Sequence, residues 1–170
     1  GQTITLLTDV ELDGQAQSRK TCTLDLNGHT VTRYLWVIAA TAGTLTIKDG
    51  STAGTGKIMS ENGAALEVAA NAKIVLQSGA VSTYLPVDLR GTLRVEGGEI
   101  VGTSDQYDSY VIDAFGGTLE VAGGTLTSML NRVLVKARCG ATVNVSSGKL
   151  QNNIGNGYAV INALDSTVTV

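Results

Sequence analysis

The sequence predicts an all-β chain wound into a parallel β-solenoid, about seven coils of roughly 24 residues with three strands in each. Three observations predict it. One phrase recurs: GTLTIKDG from Gly43, AKIVLQSGAV from Ala72, GTLRVEGGEI from Gly91, GTLEVAGGTL from Gly117 and ATVNVSSGKL from Ala141. The composition pairs 21 glycines with a single proline and apolar positions that are mostly Val, Leu, Ile and Ala, which suits short strands joined by tight turns. No stretch carries the 3.6-residue spacing of an amphipathic helix.

Each copy places two aliphatics two residues apart, then a Gly-containing turn and another aliphatic. TCTLDLNGHTV from Thr21 fits at the front, with Leu24 and Leu26 as its aliphatic pair, and STVTV from Ser166 begins a further copy. Runs such as 118–121, 124–127 and 132–137 supply three strands, and three short strands with three turns fill one coil. A coil cannot bury its inward face alone, so coils stack about 4.8 Å apart and share a core. Leu24, Leu45, Ile74, Leu93, Leu119, Val143 and Val168 are expected to form one inward column. Leu26, Ile47, Leu76, Val95, Val121, Val145 and Val170 are expected to form the next.

Copy starts at 22, 43, 72, 91, 117, 141 and 166 give intervals of 19 to 29 residues. That irregularity argues against ice-binding or hexapeptide solenoids, whose flat faces need constant coil length. The extra residues are expected at the corner before the third strand. The first ten residues read as a starter strand covering one end, and from the uncapped strand at Val170 the chain is expected to be an excerpt of a larger protein. Residues 1–170 form one domain. Cys22 and Cys139 fall about five coils apart, on the order of 24 Å, beyond the roughly 7 Å that a disulfide spans, so both thiols are expected to be free.

A net charge of −3 without charge runs provides no basic stripe for nucleic acid. No apolar run reaches the roughly 20 residues of a membrane helix, so no membrane insertion is expected from this segment. Gly1, Gln2, Thr3 do not open a basic and apolar leader.

ITLLTDVEL from Ile4, TLDLNGHTVT from Thr23, GTLTIKDGS from Gly43 and GTGKI from Gly54 resemble segments of large secreted or wall-anchored proteins of Gram-positive gut bacteria. In that group such text is similar to right-handed parallel β-helix domains of the pectate-lyase-like superfamily. The resemblance implies a right-handed solenoid outside the cell, beside adhesion or glycan-directed modules of the same polypeptide. It carries no catalytic motif over.

Enzymes on such scaffolds gather carboxylates on adjacent coils. The outward first-strand positions Asp25, Thr46, Val75, Arg94, Glu120, Asn144 and Thr169 contain one facing charged pair, Arg94 with Glu120. In the third strand Asp113 and Asn162 align with Ala137 between them, and no second carboxylate is expected in that column. DLNG from Asp25 reads as a corner turn rather than a calcium loop. His29, the only histidine, has no evident acidic partner. No catalytic residue, metal or cofactor is expected.

The aromatics are the best binding candidates. Tyr34, Tyr84, Tyr110 and Tyr158 fall seven to nine residues before the next copy, with Trp36 close by, at the entrance to the third strand. Asp105, Tyr107 and Asp108 sit in the loop that precedes Tyr110. Outward rings there could stack on sugar faces while loop carboxylates bind hydroxyls. The expected function is a non-catalytic extracellular surface module, adhesin-like or glycan-contacting, with a glycan or host cell-surface ligand as partner. Two alternatives stand beside it: a lyase or hydrolase fragment using Asp113, Asp105 or Asp108, and a ligand-free spacer about 34 Å long.

Overall fold

A computed structural model describes residues 1–104, 110–129, 133–153 and 159–170. These residues contain strands and turns and no helix. Every strand pairs in parallel with its counterpart one coil away, giving a parallel β-solenoid of the right-handed type.

Three faces run its length. The first holds Gln2–Thr5, Cys22–Asp25, Gly43–Lys48, Ala72–Leu76 and Thr92–Val95, then the leading parts of Thr118–Ser128 and Thr142–Asn152, and Thr167–Thr169. The second holds Val10–Glu11, Thr30–Arg33, Lys57–Ser60, Ala80–Thr83 and Glu99–Gly102, completed by the trailing parts of the same two long strands. The third is a separate seven-stranded sheet running from Ala16–Ser18 to Ile161–Ala163.

Alternation within each strand sends one set of side chains inward. On the first face Leu45, Ile74, Leu93, Leu119, Val143 and Val168 pair in register as expected. On the second, Val31, Ile58, Val81, Ile100, Leu126 and Leu150 form a continuous column. Ile38, Leu66, Val87, Ile112, Val135 and Ile161 line the third. Most of these side chains are wholly buried in one cluster.

The first coil departs from the expected register by two residues. Cys22 pairs with Leu45 and Leu24 with Ile47, where Leu24 and Leu26 were assigned to those places. Leu26 lies just past the strand, its N–H bonded to Lys48 O at 2.8 Å, and its side chain is fully buried at the corner. A two-residue slip keeps the same side chains inward, so alternation alone cannot reveal it. In consequence Asp25 faces Lys48, at 3.0 Å, and not Thr46. Val170 lies beyond the last paired residue, Thr169.

The corner between first and second faces explains much of the glycine usage. Gly79, Gly98, Gly124 and Gly148 stack there with φ of 87°, 73°, 71° and 100°. A Cβ on Gly98 would sit 2.4 Å from Gly79 O, and one on Gly124 would sit 2.6 Å from Gly98 O. Both the left-handed backbone and the coil spacing therefore require glycine.

The longest coil opens that same corner instead of the one before the third face: its extra residues are 49–56, between Gly43–Lys48 and Lys57–Ser60. Asp49 organises the insertion. Its carboxylate accepts the N–H groups of Gly28, Ser51 and Gly56 at 2.8, 3.1 and 2.6 Å. DLNG in the preceding coil is a corner turn, with Asn27 and Gly28 at φ 48° and 81°, and Asp25 accepts the Asn27 and Gly50 N–H groups at 3.0 and 2.8 Å. Gln2–Thr5 and Val10–Glu11 pair as rungs of a first coil rather than plugging the end. An apolar opening of about 240 Å³ lies against Ile4, Leu6, Leu12 and Leu24.

Candidate functional site

The third face carries an outward column of charge. Val87–Leu89 pairs Asp88 with Glu67 on one side and with Asp113 on the other, and Asp113 pairs with Lys136, which pairs with Asn162. Three carboxylates therefore stand on consecutive coils, about 4.8 Å apart by strand spacing. The expectation of no second carboxylate beside Asp113 is overturned, and the residue between Asp113 and Asn162 is Lys136, not the buried Ala137. A one-residue error in register exchanges an outward side chain for an inward one.

Two residues further along the same strands runs a second outward row, Arg90, Phe115 and Arg138. Arg138 grips Asp113 with two hydrogen bonds, Nε to Oδ1 at 3.0 Å and a terminal nitrogen to Oδ2 at 2.6 Å. Arg90 Nε reaches both Asp88 oxygens at 3.2 and 3.3 Å. Phe115 lies between the guanidinium groups, 5.8 Å from that of Arg90 and 4.9 Å from that of Arg138. The ring and the carboxylates hold both cations in fixed orientations. Each hydrogen-bonded aspartate raises its arginine further above the ordinary guanidinium range.

A third, apolar row completes the site where the chain turns into this face. Leu85 and Pro86 precede Asp88, and Trp36 stands two coils earlier. Together the three rows enclose a trough of about 330 Å³, with Trp36, Leu85 and Pro86 on one lip, Asp88 and Asp113 along the middle, and Arg90, Phe115 and Arg138 on the other lip. Its neighbours are committed elsewhere: Gln15 Nε2 binds Glu67 at 3.0 Å. Lys136 Nζ donates to Tyr110 Oη at 3.0 Å and lies 4.6 Å from that ring's centroid.

Of the sequence-derived candidates among the described residues, Trp36 and Asp113 line this trough, and none of the described tyrosines does. Arg33 donates to the Trp36 carbonyl at 2.8 Å, holding its segment. Tyr34 is 61 % exposed, and its hydroxyl accepts from Asn62 Nδ2 at 3.1 Å. Tyr84 is half-buried, its N–H bonded to Gly63 O at 3.2 Å, while Tyr110 occupies the position in register with Leu85. Tyr34, Tyr84 and Tyr110 thus take different rungs and registers. Asp105, Tyr107, Asp108 and Tyr158 lie outside the described residues.

Sequence reasoning missed Asp88, Arg90, Phe115 and Arg138. The available signal was the triplet of aliphatic, charged, aliphatic residues in LEV, VDL, IDA and VKA, each shortly before the next repeat.

Elsewhere, His29 does have an acidic partner, Asp9 of the preceding coil, with Nδ1 to Oδ1 at 3.4 Å. The Thr30 N–H lowers the Asp9 carboxyl below its usual value, and His29 adds to the effect. Arg94 and Glu120 face one another as expected, at 3.3 Å, within a surface network that includes Lys73 and Glu96. Cys22 and Cys139 are free. Among the described residues no group of three or more His, Cys, Asp or Glu side chains is placed to hold a metal ion, and no helix is long and apolar enough to cross a membrane.

No protein-family model matches the chain, and no curated protein or solved structure matches it.

Proposed function

We propose that this protein is a non-catalytic, glycan-contacting surface module working outside the cell, and that the trough on the third face is its contact site. The single observation that carries this proposal is the arrangement of an apolar lip opposite fixed aspartate–arginine couples. Sugar rings offer an apolar C–H face and a rim of hydroxyls. The indole of Trp36 with Leu85 and Pro86 suits the face, and planar carboxylate and guanidinium edges suit the rim. Asp88, Asp113, Phe115 and Arg138 sit on paired strands of the third face, which positions them before any ligand arrives.

Placement outside the cell, a wall-anchored origin and kinship with the pectate-lyase-like superfamily rest on the resemblance of the segments between Ile4 and Ile58. They belong to the same proposal. An immobilised glycan array probed with the wild-type chain and with Trp36→Ala tests it. Binding that falls in the variant supports the site, and an array without any bound glycan rejects it.

A hydrolase reading draws on one observation, the adjacency of Asp88 and Asp113 on neighbouring coils, a spacing close to that of a retaining carboxylate pair, about 5 Å. Against it, each carboxylate is already hydrogen-bonded to an arginine, whereas acid–base chemistry needs two unlike environments. Release of reducing sugar that is lost in Asp113→Asn would establish the enzyme instead.

A further inference from the structure

We infer that the trough selects neutral, hydroxyl-rich sugars and discriminates against glycans that present a uronate or sialate carboxylate. This rests on the glycan-contacting function proposed above and specifies its ligand class.

Charge balance leads to the inference. Along the outward face Glu67, Asp88 and Asp113 are matched by Arg90, Lys136 and Arg138. Each of the two guanidinium groups already faces an aspartate, and the ammonium faces a phenol, so no cation in the trough carries charge without a partner. Arg138 spends Nε and a terminal nitrogen on Asp113, Arg90 spends Nε on Asp88, and Lys136 is drawn onto Tyr110. A ligand carboxylate would have to share each guanidinium with the aspartate that it already binds, Asp88 on the same rung for Arg90 and Asp113 on the neighbouring strand for Arg138. It would then lie over two carboxylates in the middle of the trough, where like charges oppose it.

A neutral diol meets no such penalty. One hydroxyl donates to an aspartate oxygen while its neighbour accepts from a guanidinium N–H, and each Asp–Arg couple presents that acceptor and donor side by side. Phe115 stacked between Arg90 and Arg138 keeps the donor edges in place. The trough volume, about 330 Å³, is at the small end for ligand sites and suits a short glycan terminus rather than an extended chain.

The test is a titration followed through the guanidinium Nε–H resonances of Arg90 and Arg138 in the intact chain, with lactose, maltose and cellobiose as neutral probes and digalacturonate and 3′-sialyllactose as acidic ones. Saturable shifts with at least one neutral disaccharide are expected, with none from the acidic pair, and with no loss between low and high salt. Asp88→Asn keeps the shape and should weaken neutral binding by about tenfold, the usual effect of losing a charged hydrogen-bond acceptor. Arg138→Gln, which frees Asp113, should leave the acidic sugars excluded. Tighter binding of digalacturonate or sialyllactose at these two arginines overturns the selectivity while leaving the glycan site in place. Silence of both resonances toward every probe overturns the selectivity and the site together.

Discussion

Replacing Asp49 with asparagine should destabilise the solenoid by about 2–4 kcal/mol at neutral pH, although the residue lies in a corner loop away from the core. The magnitude follows from its partners. Its two carboxylate oxygens accept three backbone N–H groups, from Gly28, Ser51 and Gly56, and a hydrogen bond to a charged acceptor is worth about 1.5–3 kcal/mol when removed. The corner is half-exposed, so water recovers part of that loss. Asparagine keeps one acceptor and turns a donor toward a facing N–H, leaving a repulsive contact where a 2.6 Å bond to Gly56 had been. The pH dependence provides a second check. Burial alone would raise the Asp49 carboxyl, but the N–H groups of Gly56, Ser51 and Gly28 outweigh it and hold the group below its ordinary value. A depressed folded-state value means that the stabilisation is complete above the unfolded value, about 3.9, and is lost as pH falls through the folded one. Urea unfolding of wild type and variant at pH 7 and through the acid range measures both effects. The gap should be widest at pH 7 and should close in acid. Equal stability at pH 7, or a gap that grows on acidification, would refute this account of the corner.

Three further outcomes follow from the same geometry. Leu26→Ala should cost about 3 kcal/mol in denaturant unfolding, the usual loss for a fully buried leucine, whereas Leu24→Ala should cost less because Leu24 is only partly buried. Gly91→Ala drives a Cβ to 2.2 Å from Ala69 O and 2.3 Å from Ala72 O and should lower the melting temperature well below that of Gly140→Ala. The latter meets open space and bears only the strain of φ 77°, about 1 kcal/mol. With a thiol reagent Cys139, which is exposed, should react in the native protein faster than half-buried Cys22, and unfolding should reveal both thiols.

The solenoid was legible because its evidence is redundant: the aliphatic pair at 45/47, 74/76, 93/95 and 119/121 returns in every copy, and each pair is buried and in register. The first coil was misplaced because Leu24 and Leu26 satisfy the same alternation as Cys22 and Leu24, and alternation repeats every two residues. The site was hidden for a different reason. Corners vary in length independently, so the third face has its own intervals, 21, 25, 23 and 26 residues from Glu67 through Asp88, Asp113 and Lys136 to Asn162. Carrying the first-face register across therefore pointed to Ala137 and left Asp88 unmatched. The third-face strands 66–68 and 87–89 are three residues long, too short for a periodic pattern to fix their phase. The tyrosines drew attention by scarcity, but Tyr34, Tyr84 and Tyr110 do not share a register, and only the backbone pairing shows this.

Trp36 is the only tryptophan, and it forms part of the apolar lip of the trough, so its fluorescence reports directly on occupancy. Titrating the chain with a neutral oligosaccharide that it retains on a glycan array tests the third-face site most directly. The expected result is a saturable change in Trp36 emission that Asp88→Asn and Asp113→Asn each weaken about tenfold. A bound glycan that leaves the emission unchanged, or one whose affinity both variants preserve, would place the contact elsewhere and contradict the account.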